Sequence, residues 1–306
     1  MLFYLKKKLY ILIALLFPFF GISQSNILSN YIQLDGTNDY IKIPSTNDLK
    51  FDGDRFTFEA WVKLDTPPPQ TSNPSSSDRR YLIEKKNDWS LYFLNINGSI
   101  YLEGRYRRDY NGNWPNIRSS STIPLNTWTH VAFTFLKSGG TSTLKVYING
   151  SLVGENSHSN GGRGLTSTTN IIGLGAGYWD DPRQYIDGAL DEVRFWSDAR
   201  QQSDINTYKN QSVDGANNLE LYYKLDETSG NTAADSSSNN NVGSLQGGAS
   251  WTSQAPYSTN TSSTIIETVC AVSDLPASVR NGITAFWPMC SSNPTAEVAA
   301  GSYGLS

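Results

Sequence analysis

An all-β fold, built as a two-sheet antiparallel sandwich, is what this sequence predicts, and three observations carry the prediction. Apolar and polar residues alternate with the two-residue period of strands over many short segments. Asn97-Gly98 and Asn149-Gly150 sit between such segments, where a tight hairpin needs positive φ. No convincing helical period appears before Trp196. The 306 residues carry a formal net charge of −4, abundant Ser, Thr, Asn and Gly, 12% aromatics and two Met. That composition suits an extracellular β protein and argues against a basic nucleic-acid binder.

Taken in order, the chain opens with Lys6, Lys7 and Lys8, an apolar run from Leu9 to Phe20, and small residues at Gly21-Ile22-Ser23. Residues 1–23 are therefore expected to be a cleaved secretory signal. The apolar run falls short of the roughly 20 residues that span a bilayer, so the mature protein is expected to be secreted or at the cell surface, without a membrane span. Tyr31–Leu34 and Tyr40–Ile43 flank the oxygen-rich turn Asp35–Asp39 and read as a hairpin. In Phe56–Leu64, the residues Phe56, Phe58, Ala60, Val62 and Leu64 alternate with Thr57, Glu59, Trp61 and Lys63. Pro67, Pro68 and Pro69 then end the strand in a long surface loop. Strands are predicted at Tyr81–Lys85, Ser90–Asn95, Ser99–Arg105, Trp128–Phe135, Leu144–Asn149, Ser151–Glu155, Asn170–Gly175 and Leu219–Leu225, with a helical turn in Ser203–Asn210. About a dozen strands at this spacing favour a sandwich over an α/β fold.

The stretch Tyr185–Trp196 is predicted as the central strand. Strict alternation places Ala189, Asp191, Val193 and Phe195 on one face and Leu190, Glu192, Arg194 and Trp196 on the other. Asp191 would then turn toward the core, where a carboxylate must find donors or a cation, or stay protonated. One core is expected to contain Phe58, Ala60, Val62, Val131, Phe133, Val146, Ile148, Val193, Phe195 and Leu221.

The phrases YIQLDGTNDYIKI, FTFEAWVKL, WTHVAFTF, LKVYINGSLVGE, YIDGALDEVRFWSDAR and LYYKLDETSGNTAADSSSNNN resemble, in order, the blocks of laminin-G-like and pentraxin-like jelly rolls of the concanavalin A-like class. The likeness covers roughly Ile27 to Pro256, so residues 24–256 are expected to form one jelly roll. With its signal and Asn-rich turns the chain also resembles secreted proteins of the Bacteroidetes. The fold that this resemblance implies carries lectin, adhesion and catalytic activities alike, so it does not select among them.

The resemblance implies that the first and last core strands are neighbours, which would let Asp35, Asn38 and Asp39 on the first turn converge with Asp187 and Asp191. Calcium accepts six to eight oxygens and would answer the need of Asp191; the alternative is that the turn residues only shape the turn and Asp191 accepts backbone N–H bonds. Glycan binding is expected from aromatic and Arg-rich loops: Arg105, Arg107, Tyr110 and Trp114 in one, Tyr178 and Trp179 in another. His130 reads as a packed strand residue. Retaining glycosidases of this scaffold carry Glu-x-Asp-x-x-Glu along one strand, and the nearest set here, Asp187, Asp191 and Glu192, places the last two on opposite faces. The leading expectation is a non-catalytic module that binds extracellular polysaccharide or a surface protein. A glycan-degrading enzyme or its accessory module, and a spacer in an adhesin, are the alternatives. Residues 257–306, with Ile283–Cys290 echoing Leu219–Asp226, read as a linker and the truncated start of a second module, expected to be poorly packed. Cys270 and Cys290 would pair there in an oxidising compartment, or pair with a part not present.

Overall fold

The structure is a computed structural model that describes residues 30–44, 46–49, 54–107, 114–159, 170–178 and 182–252. The expected signal, Tyr110, Trp179, both cysteines and the tail after residue 256 lie outside the described residues. Two sheets form a sandwich. The eight-stranded first sheet runs β11 (Ser151–Ser159), β10 (Thr141–Ile148), β9 (Thr129–Ser138), β3 (Arg55–Leu64), β15 (Asp187–Trp196), β1 (Tyr31–Asp35) and β19 (Ser250–Thr252), with β16 (Leu219–Tyr223) against the second half of β15. The nine-stranded second sheet runs β17 (Thr232–Ala233), β18 (Gly243–Gln246), β2 (Tyr40–Ile43), β12 (Ile172–Leu174), β5 (Arg80–Lys85), β6 (Trp89–Ile96), β7 (Ser99–Tyr106) and β8 (Asn116–Thr122). The short β4 (Gln70–Thr71) lies parallel to β6, and β13 (Gly177–Tyr178) pairs with β14 (Pro182–Arg183) as a separate ribbon. Among the described residues there is one α-helix, α1 (Gln202–Tyr208), where the helical turn was expected, and no helix long and apolar enough to cross a membrane.

All ten expected core residues belong to one buried cluster between the sheets. Alternation selects them, and ring packing joins the layers: Phe56 of β3 meets Trp89 of β6 at 4.7 Å between centroids. A side chain on Gly104 of β7 would put its Cβ 2.6 Å from the Phe133 ring, so the glycine makes room for that ring of the facing sheet. His130 is buried as expected, 5.5 Å from the Trp61 ring and 3.5 Å from Glu59.

Two expectations need correction. β1 and β2 do not form a hairpin: β1 pairs with β15 and β19, whereas β2 pairs with β12 and β18, so the Asp35–Asp39 turn carries the chain from one sheet to the other. The second correction concerns β15. Opposite β3, Asp191 faces Trp61 but Arg194 faces Glu59, which leaves an extra residue in β15 between them. Glu192 takes φ 50°, the conformation of a β-bulge. Alternation breaks there. Leu190, Val193 and Phe195 all reach the core, while Asp191, Glu192, Arg194 and Trp196 turn to the outer face of the first sheet.

That outer face is covered by the excursion from β15 to β16, and the buried polar groups hold the cover in place. Arg194 Nη1 donates to Tyr208 O at 2.9 Å and Nη2 to Gln211 O at 2.8 Å, and Trp61 Nε1 donates to Lys209 O at 2.9 Å. Arg194 also pairs with Glu192, whose Oε2 accepts from Tyr222 OH at 2.6 Å. Ile205 of α1 packs with Ala132 and Tyr147.

Candidate functional site

The outer face of the second sheet brings together Arg105, Trp114 and Tyr178, three of the residues expected from sequence to bind a glycan. Register lines up Tyr81, Tyr92, Glu103 and Arg118 across β5 to β8, and beside them Lys42, Gly173, Glu84, Ser90, Arg105 and Asn116 across β2 to β8. Arg105 is the hub of this lattice. Its Nε donates to Ser90 Oγ at 2.8 Å, and its Nη2 donates to Tyr81 OH at 3.0 Å and to Glu84 Oε1 at 3.2 Å. Its guanidinium lies 4.5 Å from the Trp114 ring. Burial pushes the Glu84 carboxyl up, against the pull of Arg105. Glu103 accepts from Tyr92 OH, from Asn116 Nδ2 at 2.9 Å and from Arg118 Nε at 2.8 Å. Arg79 stacks 4.7 Å from the Tyr92 ring, and its Nε is buried without an acceptor among the described residues.

The lattice fixes flat rings and planar donors in place. Arg105, 8% exposed, is a positioning residue, while the half-buried Trp114 is the ring it presents. Tyr178 is brought to the same face by Gly173, where an added Cβ would come 3.0 Å from the Tyr178 Cβ, and its ring lies 6.0 Å from Tyr40. Arg107 closes the end of β7, its N donating to Asp88 O at 2.6 Å, and is half-buried. The sequence reading missed Arg79, Tyr81, Tyr92, Glu84, Glu103 and Arg118. The signal was present in the polar half of the alternation in β5, β6 and β7, which was read only for its apolar half.

The five expected metal ligands do not assemble into one coordination sphere. Asp35 and Asp187 are opposed in the β1–β15 ladder, and Asp35 Oδ1 accepts from Thr37 N at 2.8 Å. Asn38 N reaches the same oxygen at 3.4 Å, and Asp39 Oδ2 accepts from Asp35 N at 3.1 Å. Asp39 Oδ1 is buried without a partner among the described residues, and burial pushes this carboxyl up. Asp191 lies further along β15, about 13 Å from Asp187 at the usual rise of roughly 3.3 Å per residue. Among the described residues no group of three His, Cys, Asp or Glu could hold a metal ion. Melting curves in calcium and in chelator test calcium binding directly: a rise of Tm in calcium would mean that groups around the Asp35–Asp39 turn hold the ion without Asp191, and coincident curves would mean that these residues only shape the turn.

With this geometry in view, a family model described as the concanavalin A-like lectin/glucanases superfamily matches residues 35–206, more than half of the chain. The chain belongs to the concanavalin A-like superfamily. Among solved structures, a Bacteroides ovatus protein designated as carbohydrate-binding shares 20% identity at a TM-score of 0.54, covering 74% of this chain and 60% of that one. The chain thus spans about three fifths of that relative's length, and at this identity the likeness is one of fold. A heptameric SAP-like pentraxin from Limulus polyphemus (16% identity, TM-score 0.43, 59% of this chain and 82% of that one) and the Ruminococcus gnavus IT-sialidase CBM40 bound to α2,3-sialyllactose (11%, 0.43, 58% and 95%) are more distant in shape. No curated protein matches the sequence. In this concanavalin A-like chain the Arg105 guanidinium and the Trp114 and Tyr178 rings lie on the outer face of the second sheet.

Proposed function

We propose that this protein is a secreted or cell-surface recognition module that binds a glycan without cleaving it, on the outer face of the second sheet. The observation that carries the reading is the Trp114 ring held 4.5 Å from a guanidinium which is itself fixed by Ser90, Tyr81 and Glu84. A ring immobilised in this way stacks on a sugar face with little further ordering cost, and Tyr178, Asn116 and Arg118 add hydrogen-bonding groups around it. The B. ovatus relative supports the ligand class. The non-catalytic part rests on the state of the carboxylates. Glu103 is occupied by three donors and Glu84 by Arg105, so neither is left as the free nucleophile or general base of a carboxylate pair.

The test is retention of the full chain on a panel of polysaccharides, with released sugar ends followed in the same tubes. Trp114→Ala is expected to weaken retention about five-fold, the worth of one stacked ring, without changing Tm. New reducing or unsaturated ends would overturn the non-catalytic reading, and retention untouched by Trp114→Ala would remove this face as the site.

A further inference from the structure

The other outer face, on the first sheet, carries a cavity of about 420 Å³, within the roughly 300–1,000 Å³ of small-ligand sites. Its walls come from the end of β15, the segment into α1, α1 itself and the return toward β16, and include Trp196, Asp198, Arg200, Asp204, Tyr208 and Asp214. These walls are fixed by the protein alone. Ser197 N donates to Asn218 O at 2.9 Å, Val213 packs with Trp196, Leu219 and Tyr222, and Arg194 holds the Tyr208 carbonyl.

The lining combines donors and acceptors around an aromatic floor. The Arg200 guanidinium lies 3.9 Å from the Trp196 ring and 5.5 Å from the Tyr208 ring, and its ion pair with Glu59 at 3.4 Å offsets its charge from below. Trp196 Nε1 is buried in the wall without an acceptor among the described residues, although the side chain is 4% exposed. Among the described residues the Asp204 carboxylate meets only Ser203 Oγ, at 3.5 Å, and Asp198 meets Arg55 at 3.9 Å in a pair open to water. Asp214 is held by Lys224 and Ser212, each at 2.7 Å. A hydroxyl is the ligand group that both donates to such carboxylates and accepts from amide N–H groups such as those of Asn217 and Asn218 in the lining. Tyr208, 41% exposed, adds a ring for the apolar face of a sugar. A neighbouring cavity of about 330 Å³ shares Asn217 and Asn218 and adds Glu220, Ser237 and Asn239, continuing the same chemistry. The excess of carboxylates repels an anionic ligand.

We propose that this trough is a second binding site, for a short neutral oligosaccharide. It lies on the opposite outer face from the Trp114 site and does not rest on it, so the module has two binding faces and can hold two glycan chains at once.

The test is a titration of the full ¹⁵N-labelled chain with cellotetraose, maltotetraose, mannotetraose and chitotetraose, with tetragalacturonate as the anionic control, followed at the tryptophan indole signals. At least one neutral tetrasaccharide is expected to move the Trp196 signal, and tetragalacturonate is not. Tyr208→Ala and Asp204→Ala should each weaken that response about five-fold, whereas Trp114→Ala leaves it unchanged. Variants whose other indole signals keep their positions are folded, which separates lost binding from lost structure. Silence of Trp196 toward every neutral probe, equal binding of tetragalacturonate there, or wild-type affinity in both cavity variants would each overturn the proposal.

Discussion

Arg194→Ala is expected to lower the unfolding free energy by about 3–5 kcal/mol, the usual cost of removing one partner from a buried ion pair. Arg194 is fully buried and its guanidinium serves Glu192 and the carbonyls of Tyr208 and Gln211 together. Truncation leaves the Glu192 carboxylate in a low-dielectric site with Tyr222 OH as its donor and leaves two excursion carbonyls without that partner. Arg194→Lys should recover only part of the loss, because a point ammonium cannot span the fork of contacts. Replacing Arg194 and Glu192 together by Met should cost less than Arg194→Ala alone, since no uncompensated charge then remains. Urea denaturation of the variants measures each of these, and a loss below about 1 kcal/mol for Arg194→Ala would show that the network does not hold the cover.

Asp191→Asn is expected to act in the opposite direction, and the gain should grow with pH. Asp191 is fully buried, Oδ1 accepts from Glu192 N at 2.9 Å, and Oδ2 has no partner among the described residues. Burial first, then the charges of Glu192 and Asp226, push its carboxyl well above the ordinary range, with Arg194 pulling the other way. Because the folded-state pKa is raised, the folded protein holds the proton more tightly than the unfolded chain. The stability gained from that proton is complete below the unfolded value of about 3.9 and is lost as pH rises through the folded value. Asparagine keeps the Oδ1 contact and does not titrate. Each unit of the raised pKa corresponds to about 1.4 kcal/mol, so the variant should surpass wild type at pH 8 by more than it does at pH 4. A variant less stable than wild type by the same amount at both pH values would mean that the charged carboxylate is compensated, as a bound cation would do.

The core was legible because alternation in β3, β9, β10 and β15 marks the inward residues directly, and the hairpins at Asn97-Gly98 and Asn149-Gly150 follow from residues that accept positive φ. β8 was not legible, since its sequence NIRSSST has Ile117 half-buried and only Ser119 fully buried, so it carries no apolar period. The bulge at Glu192 was hidden for a different reason. A one-residue insertion changes the face of everything before it, and Glu192 gives no sign of positive φ, a conformation usual for Gly or Asn. That single slip moved Asp191 from the expected core to the outer face, whereas its separation from Asp35 and Asp187 comes from its place four residues further along β15. Trp114 and Tyr178 were found as loop aromatics, but the lattice behind them required knowledge of which strands are neighbours.

The first and last strands of the sandwich lie side by side: Tyr31, where β1 begins, is opposite Thr252, where β19 ends. Chain entering and leaving the sandwich therefore does so at one corner. Tension between the two flanking segments falls across the β1–β19 ladder, so its hydrogen bonds open in succession, like a zipper, instead of shearing together. β19 is three residues long and lies at the sheet edge. Under load it is the strand that peels first, while β3, β9 and β15 with the Arg194 network stay assembled beneath it.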